Sequence, residues 1–182
     1  QLYPAAEDEV FMQPVRFDTI LAEGDTVDPG GMPMRVLETP GHSRCSLSFF
    51  HESSGTLFVS DACGMPMADG RLWPTAFLDR PTYADSLRKL MELDAVHLCT
   101  GHNPPVSGRE KIRRYFEKNL KSLDYYFEKV EKLWAELGDR DSVLDALKED
   151  YSKNAPPGIG WVIKYGNKEM ARQVIDGVQG RG

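Results

Sequence analysis

The chain has 182 residues, with 28 acidic and 22 basic side chains and a formal charge of −6. Hydrophobic residues at 41% and charged residues at 27% exclude a wholly disordered chain. A chain of this length buries about two-thirds of its unfolded surface, so neither disulfides nor a metal is needed merely to hold a core. The acidic balance disfavours non-specific binding to a phosphate backbone, and no apolar run approaches the ~20 residues of a membrane span. Neither a nucleic acid nor a membrane is expected as a partner. Cys45, Cys63 and Cys99 are odd in number and too sparse for a disulfide scaffold, which points to a reducing, cytoplasmic setting. The opening on Gln1, with Leu2-Tyr3-Pro4 reading like the interior of a domain, predicts a processed or truncated product.

Residues 10–60 read as short strands between tight turns. Apolar alternation or enrichment marks 15–21, 32–39, 46–50 and 55–61, with Glu23-Gly24-Asp25 and Asp28-Pro29-Gly30-Gly31 as breaks. Strands so closely spaced predict a mostly antiparallel or mixed sheet. Periodicity is lost over 61–80, which predicts a long loop lying over a site or loosely held. Met65, Met67, Leu72, Trp73 and Phe77 can line a pocket there or pack the loop onto the body, the commoner use of such side chains. Pro81 is placed to start a helix with Leu87, Leu90 and Met91 on one face. The run at 95–100 then reads as a buried strand in βαβ order.

Ser107-Gly108-Arg109-Glu110 has the form of a capping box, and apolar residues follow every three or four positions from Ile112 to Leu137. That predicts one helix of up to roughly 45 Å, stopped at Gly138-Asp139. Its Tyr115, Tyr125 and Tyr126 fall off the main stripe, as an interface or a wider buried face. Helical segments at 141–150 and 168–178 flank a Pro156-Pro157-Gly158 break. The division expected is a sheet-rich part at 1–107 and a helical extension at 108–182.

There are four histidines. His51 reads as an exposed turn residue and His97 as part of a buried strand. His42 and His102 each follow a glycine where a predicted strand ends, and Asp61 also ends one. Three such side chains at strand ends suit a metal site on an α/β scaffold, although each taken singly is more often a hydrogen-bonded loop residue. Cys63, next but one to Asp61, can face such a site or be a small buried thiol.

"VLETPGHSRCSLSFF", "GTLFVSDACG" and "VHLCTGHNPPVSG" together resemble the second half of the metallo-β-lactamase superfamily. The resemblance covers about residues 15–107 and implies an α/β chain, half or more of an αββα sandwich, with C-terminal accessory helices loosely like those of glyoxalase-II-like members. It implies that His42 completes the ligands of a first metal, that Asp61 bridges two metals, and that His102 binds the second. The metals would be two divalent ions, zinc first and iron or manganese as alternatives. Hydroxide generated there would attack the carbonyl of a small-molecule ester or thioester. No general acid or base beyond the ligands is assigned.

The family's HxHxDH element is missing, and residues 1–41 contain no histidine. The expectation is therefore a chain inactive by itself that needs a companion N-terminal fragment or a second copy of itself. The alternatives are a metal-free half-domain acting as a binding or structural module, and a mononuclear-iron sulfur dioxygenase.

Overall fold

In the computed structural model, which describes residues 17–179, short antiparallel strands build the first layer. β1 (Thr26–Val27), β2 (Met34–Glu38), β3 (Leu47–His51) and β4 (Thr56–Val59) pair in sequence order. A small hairpin, β5 (Met65–Pro66) with β6 (Leu72–Trp73), interrupts the long loop that follows. The helix α1 (Arg80–Met91) then returns the chain to β7 (His97–Thr100), which lies parallel to β4, and β8 (Val106–Ser107) closes the edge. The main sheet is thus mixed, in the order β1-β2-β3-β4-β7-β8.

Directly paired residues share a face of a sheet. Leu37, Ser48, Phe50, Leu57, Val59 and Leu98 share one face, and all six are buried. Their apolar members join a single core with Tyr83, Leu87 and Leu90 of α1 and with the apolar stripe of α2 (Arg109–Leu137). The opposite face carries Val36, Leu47, Phe49, Phe58 and Cys99, of which only Val36 is buried. α3 (Arg140–Ser152) and α4 (Gly160–Gln179) extend the same core through Val143, Leu147, Ile163, Met170 and Ile175.

Several local expectations fail for identifiable reasons. No strand forms at residues 17–21, while Val15, Arg16 and the Leu2-Tyr3-Pro4 opening lie outside the described residues. Phe17 and Ile20 are exposed, so that apolar pattern has no layer to pack against here. The capping box does not form. Ser107 ends β8 and its Oγ lies 3.0 Å from His97 Nδ1, while Glu110 pairs with Arg113 and Arg114. Gly108, at φ 102°, caps α2 without a side chain. His97 is accordingly exposed, not core. His51 is only half-buried, its two ring nitrogens at 2.7 and 2.9 Å from the hydroxyls of Ser54 and Ser53.

Aspartate side chains do the capping that the sequence left unmarked. Asp79 accepts from Thr82 N at the start of α1, and Asp139 accepts from Ser142 N at the start of α3. Helix α4 begins at Gly160, eight residues before its apolar pattern becomes legible, because Gly158, Gly160 and Gly166 dilute the signal. Gly166 is nonetheless fitted to its place. A Cβ there would lie 2.5 Å from Trp73 Cη2 and 2.7 Å from Phe77 Cε1. Of the three tyrosines on α2, Tyr126 is fully buried, Tyr115 is half-buried and Tyr125 is exposed.

One ion cluster ties the hairpin to the helices. Arg71 makes a two-pronged contact to Asp150 on α3 at 2.9 and 3.1 Å and also binds Asp69, while Lys129 of α2 reaches the same Asp150. The Arg71 hydrogen bond is the main influence holding the Asp150 carboxyl below its usual range. A depressed folded-state pKa stabilises above the unfolded value, and that contribution is lost as pH falls through the folded pKa. Asp150→Asn is expected to lower stability at pH 7 by about 1–3 kcal/mol, because it leaves a partly buried guanidinium with a weaker partner. The difference from wild type should narrow as pH drops below the ordinary aspartate value of 3.8. Urea unfolding of both proteins across that range checks the sign and the window.

Candidate functional site

β2 and β4 run in the same direction, separated by the antiparallel β3, and β7 runs parallel to β4. Their C-terminal ends therefore lie along one rim of the sheet, where loops of α/β folds form ligand sites. Val59 pairs with Thr100 as the last couple of the parallel ladder. Asp61 and His102 each lie two residues beyond it. His42 lies beyond β2, after Thr39-Pro40-Gly41.

The rim brings all three together around the Asp61 carboxylate. His42 Nε2 lies 3.8 Å from Asp61 Oδ2, and His102 Nε2 lies 3.1 Å from Asp61 Oδ1. Each imidazole thus addresses its own oxygen. His42 is the more enclosed, with its side chain 27% exposed against 63% for His102.

Local contacts fix these positions. His42 Nδ1 faces the Thr75 carbonyl at 3.3 Å, and its ring lies 4.8 Å from that of Phe77. The Thr75 hydroxyl donates to the Asp61 carbonyl at 2.5 Å, so one loop residue orients both neighbours. The Ser86 hydroxyl donates to the Pro40 carbonyl, and Leu78 N donates to the Gly41 carbonyl, docking the His42 loop on α1 and the long loop. Gly41 has φ 138°, and a Cβ on it would sit 2.6 Å from Tyr83 Cα. Gly101 lets Asp61 come close, since a Cβ there would meet Oδ1 at 3.3 Å.

A cavity of about 350 Å³ opens on this rim. His42, Asp61, Thr75, His102 and Asn103 form its polar side. Met65, Trp73 and Phe77 from the long loop, with Pro156, Ile159 and Val162 around the start of α4, form the apolar side. The loop residues thus divide between the two expected uses. Met67 and Leu72 pack into the body, whereas Met65, Trp73 and Phe77 also face the cavity. Cys63 lies in the core, and burial raises its thiol pKa far above the ordinary cysteine value. It is a packing residue, not a ligand. Thr75 and Asn103 gave no sequence signal, and Pro156, Ile159 and Val162 were marked only by a proline-glycine break.

The donor chemistry suits a divalent metal in kind: imidazole nitrogen and carboxylate oxygen. Two donors on one tetrahedral zinc, each at about 2.0–2.1 Å, lie about 3.3 Å apart. The His–Asp separations of 3.1 and 3.8 Å bracket that value. Among the described residues, however, no three His, Cys, Asp or Glu side chains converge on one ion. The set fits one part of a two-metal centre, a carboxylate with one histidine on either side, and falls short of a closed site.

Comparisons with known proteins agree with this architecture. No family model matches the chain. A hydroxyacylglutathione hydrolase of Rhodopseudomonas palustris (strain BisB5) is 37% identical over 91 residues, covering 50% of this chain and 34% of its own. Another, of Chelativorans sp. (strain BNC1), is 28% identical over 145 residues, covering 79% of this chain and 49% of its own. The crystal structure of a metallo-beta-lactamase family protein from Thermus thermophilus superposes with a TM-score of 0.61 at 20% identity, covering 93% of this chain and 51% of that one. The fold is thus that of a metallo-β-lactamase protein. In sequence the chain is similar to these hydrolases over part of its length, and it spans between a third and a half of the length of these curated relatives.

Gly41→Ala tests the geometry that delivers His42. The new methyl group would strain a positive φ and strike backbone, so a loss of about 2–4 kcal/mol in unfolding free energy is expected. Gly30→Ala, at φ 98° in open space, is the control, with a smaller loss set by the backbone alone. Denaturant melts of the two variants measure the difference.

Proposed function

We propose that this chain carries one side of the active centre of a two-metal hydrolase acting on esters or thioesters. The reading is carried by one observation: the two oxygens of Asp61 face different histidines, His102 at 3.1 Å and His42 at 3.8 Å. In this reading Asp61 bridges, His42 serves one metal and His102 the other, with zinc as the metal and iron or manganese as substitutes. The names of the relatives, which specify a thioester hydrolase, support the reaction class.

A divalent pair supplies Lewis acidity, polarising a carbonyl oxygen and lowering the pKa of water towards neutrality. The chain's residues hold and orient. The Thr75 carbonyl opposite His42 Nδ1 accepts a hydrogen bond from that nitrogen, leaving Nε2 with its lone pair towards Asp61. The Thr75 hydroxyl pins the Asp61 backbone, fixing the direction of the carboxylate. Trp73, Phe77 and Ile159 keep one side of the cavity dry, which strengthens electrostatic interactions at the rim. Asn103, whose amide donates to Thr100 Oγ1 at 3.1 Å, is held at the cavity edge within reach of a substrate polar group.

The remaining donors would come from a companion segment or a second copy of the chain. The half-open sheet face with Leu47, Phe49 and Phe58 supports a further layer that covers it and reaches the same rim. A metal-free binding module is the second reading. It is favoured by the direct contact of His102 with Asp61, which satisfies both groups without an ion.

Zinc titration of the 182-residue chain separates the two. Calorimetry is expected to show weak binding, because catalytic zinc usually takes three protein ligands and each metal here would find two. Asp61→Asn should abolish that heat and leave the unfolding transition in place. Hydrolysis by the chain alone should be absent or very low, and a longer protein supplying the other donors should hold metal tightly and hydrolyse thioesters. Zinc heat unchanged by Asp61→Asn would reject the two-metal reading. Two tightly held ions on the isolated chain would place the missing ligands within it.

A further inference from the structure

Glutathione, the carrier named in the relatives, bears two carboxylates and an ammonium, so a site built for it needs cations on its walls. Among the described residues lining this cavity there is no lysine and no arginine. Three cations of the surrounding elements are held by carboxylates. Arg71 is bound to Asp69 and Asp150, Arg80 to Asp124, and Lys153 of the α3–α4 connection to Glu149 at 2.7 Å. The wall facing the histidines is instead Met65, Trp73, Phe77, Pro156, Ile159 and Val162.

The apolar wall is held rigidly. Trp73 is fully buried and its Nε1 donates to Asn167 Oδ1 at 2.9 Å, which ties the long loop to α4. Gly166 brings that helix onto the rings of Trp73 and Phe77. A preformed cavity of about 350 Å³ with a few polar groups at one end and apolar side chains at the other selects ligands of the same polarity pattern.

We propose that this cavity receives an uncharged, aliphatic acyl group, with the carbonyl at the histidine rim and the hydrocarbon chain along Phe77, Ile159 and Val162. The inference rests on the hydrolase reading above and deepens it: the substrate is a medium-chain ester or thioester, recognised through its acyl part. A glutathione carrier would gain nothing from this wall.

Straight-chain primary amides are suitable probes, because they are neutral, resist hydrolysis and need no metal to bind. Methyl resonances of Met65, Ile159 and Val162 in the 182-residue chain should shift on titration with butanamide, hexanamide and octanamide. Affinity is expected to rise about two- to fourfold per added methylene, the gain for covering a CH₂ group partly to fully. Glutathione at the same concentrations should leave these resonances in place. Val162→Asp should weaken octanamide binding about tenfold or more, while Val162→Ala should keep it within about fourfold, the worth of one to two methyl groups partly covered.

Unchanged methyl shifts of Val143 and Leu147, which are buried between the helices, report that each variant is folded. An affinity independent of chain length, saturable binding of glutathione at these methyls, or octanamide binding that survives Val162→Asp would each overturn the proposal. The hydrolase reading fails separately. Amides that bind with the expected slope to a protein that never hydrolyses would leave the acyl cavity standing and remove the reaction, whereas thioester hydrolysis with a flat amide series would do the reverse.

Discussion

The parallel pairing of β4 with β7 is the constraint on which the rest depends. Its register, Val59 with Thr100, sets Asp61 and His102 side by side although 41 residues separate them. Parallel neighbours cannot be joined by a tight turn, and the crossover here is the hairpin, the long loop and α1. That crossover also supplies Thr75 and Phe77 to the rim and Tyr83 as the surface on which the His42 loop rests. A slip of one residue between β4 and β7 would bring the apolar faces of the two strands out of register and separate the Asp61 and His102 side chains at once. Core and site therefore share one register.

Close approach is then purchased with small residues. Gly41 allows the loop after β2 to lie on the α1 backbone, and Gly101 allows the loop after β7 to pass the Asp61 carboxylate. Gly166 does the same for α4 against Trp73 and Phe77. Glycine within a helix costs about 0.5–1 kcal/mol relative to alanine. Here the contact with two aromatic rings, one of them fully buried, offsets that penalty.

Much of this was legible in the sequence because local rules and tertiary needs coincide. The strands from Met34 to Val59 alternate or carry apolar enrichment, Pro81 and Gly138 mark helix ends, and histidines behind glycines at strand ends point to a rim. The alignment of His42, Asp61 and His102 along that rim follows from strand direction. The failures arise where a residue's partner is distant in sequence. Ser107 has the spacing of a cap but is taken by His97 across β7 and β8. Thr75 looks like any loop threonine, since its meaning lies in contacts to His42, Asp61 and Tyr83. The first turns of α4 are obscured by glycines whose function appears only against the long loop.

The cavity joins these two kinds of information. Its polar end is made by strand termini, whose positions a sheet register determines to within a fraction of a residue step. Its apolar end is made by a loop and by the α3–α4 connection, segments that can change without disturbing the register. Within one fold, the groups that hold or orient a reacting centre can therefore persist while the wall that contacts the rest of the substrate is exchanged. In this chain the ion cluster of Arg71, Asp69, Asp150 and Lys129 fastens that exchangeable wall to α2 and α3. The cluster holds the Arg71 guanidinium against Asp69 and Asp150. The same contact that stabilises the loop thus also helps to set where the apolar wall of the cavity lies.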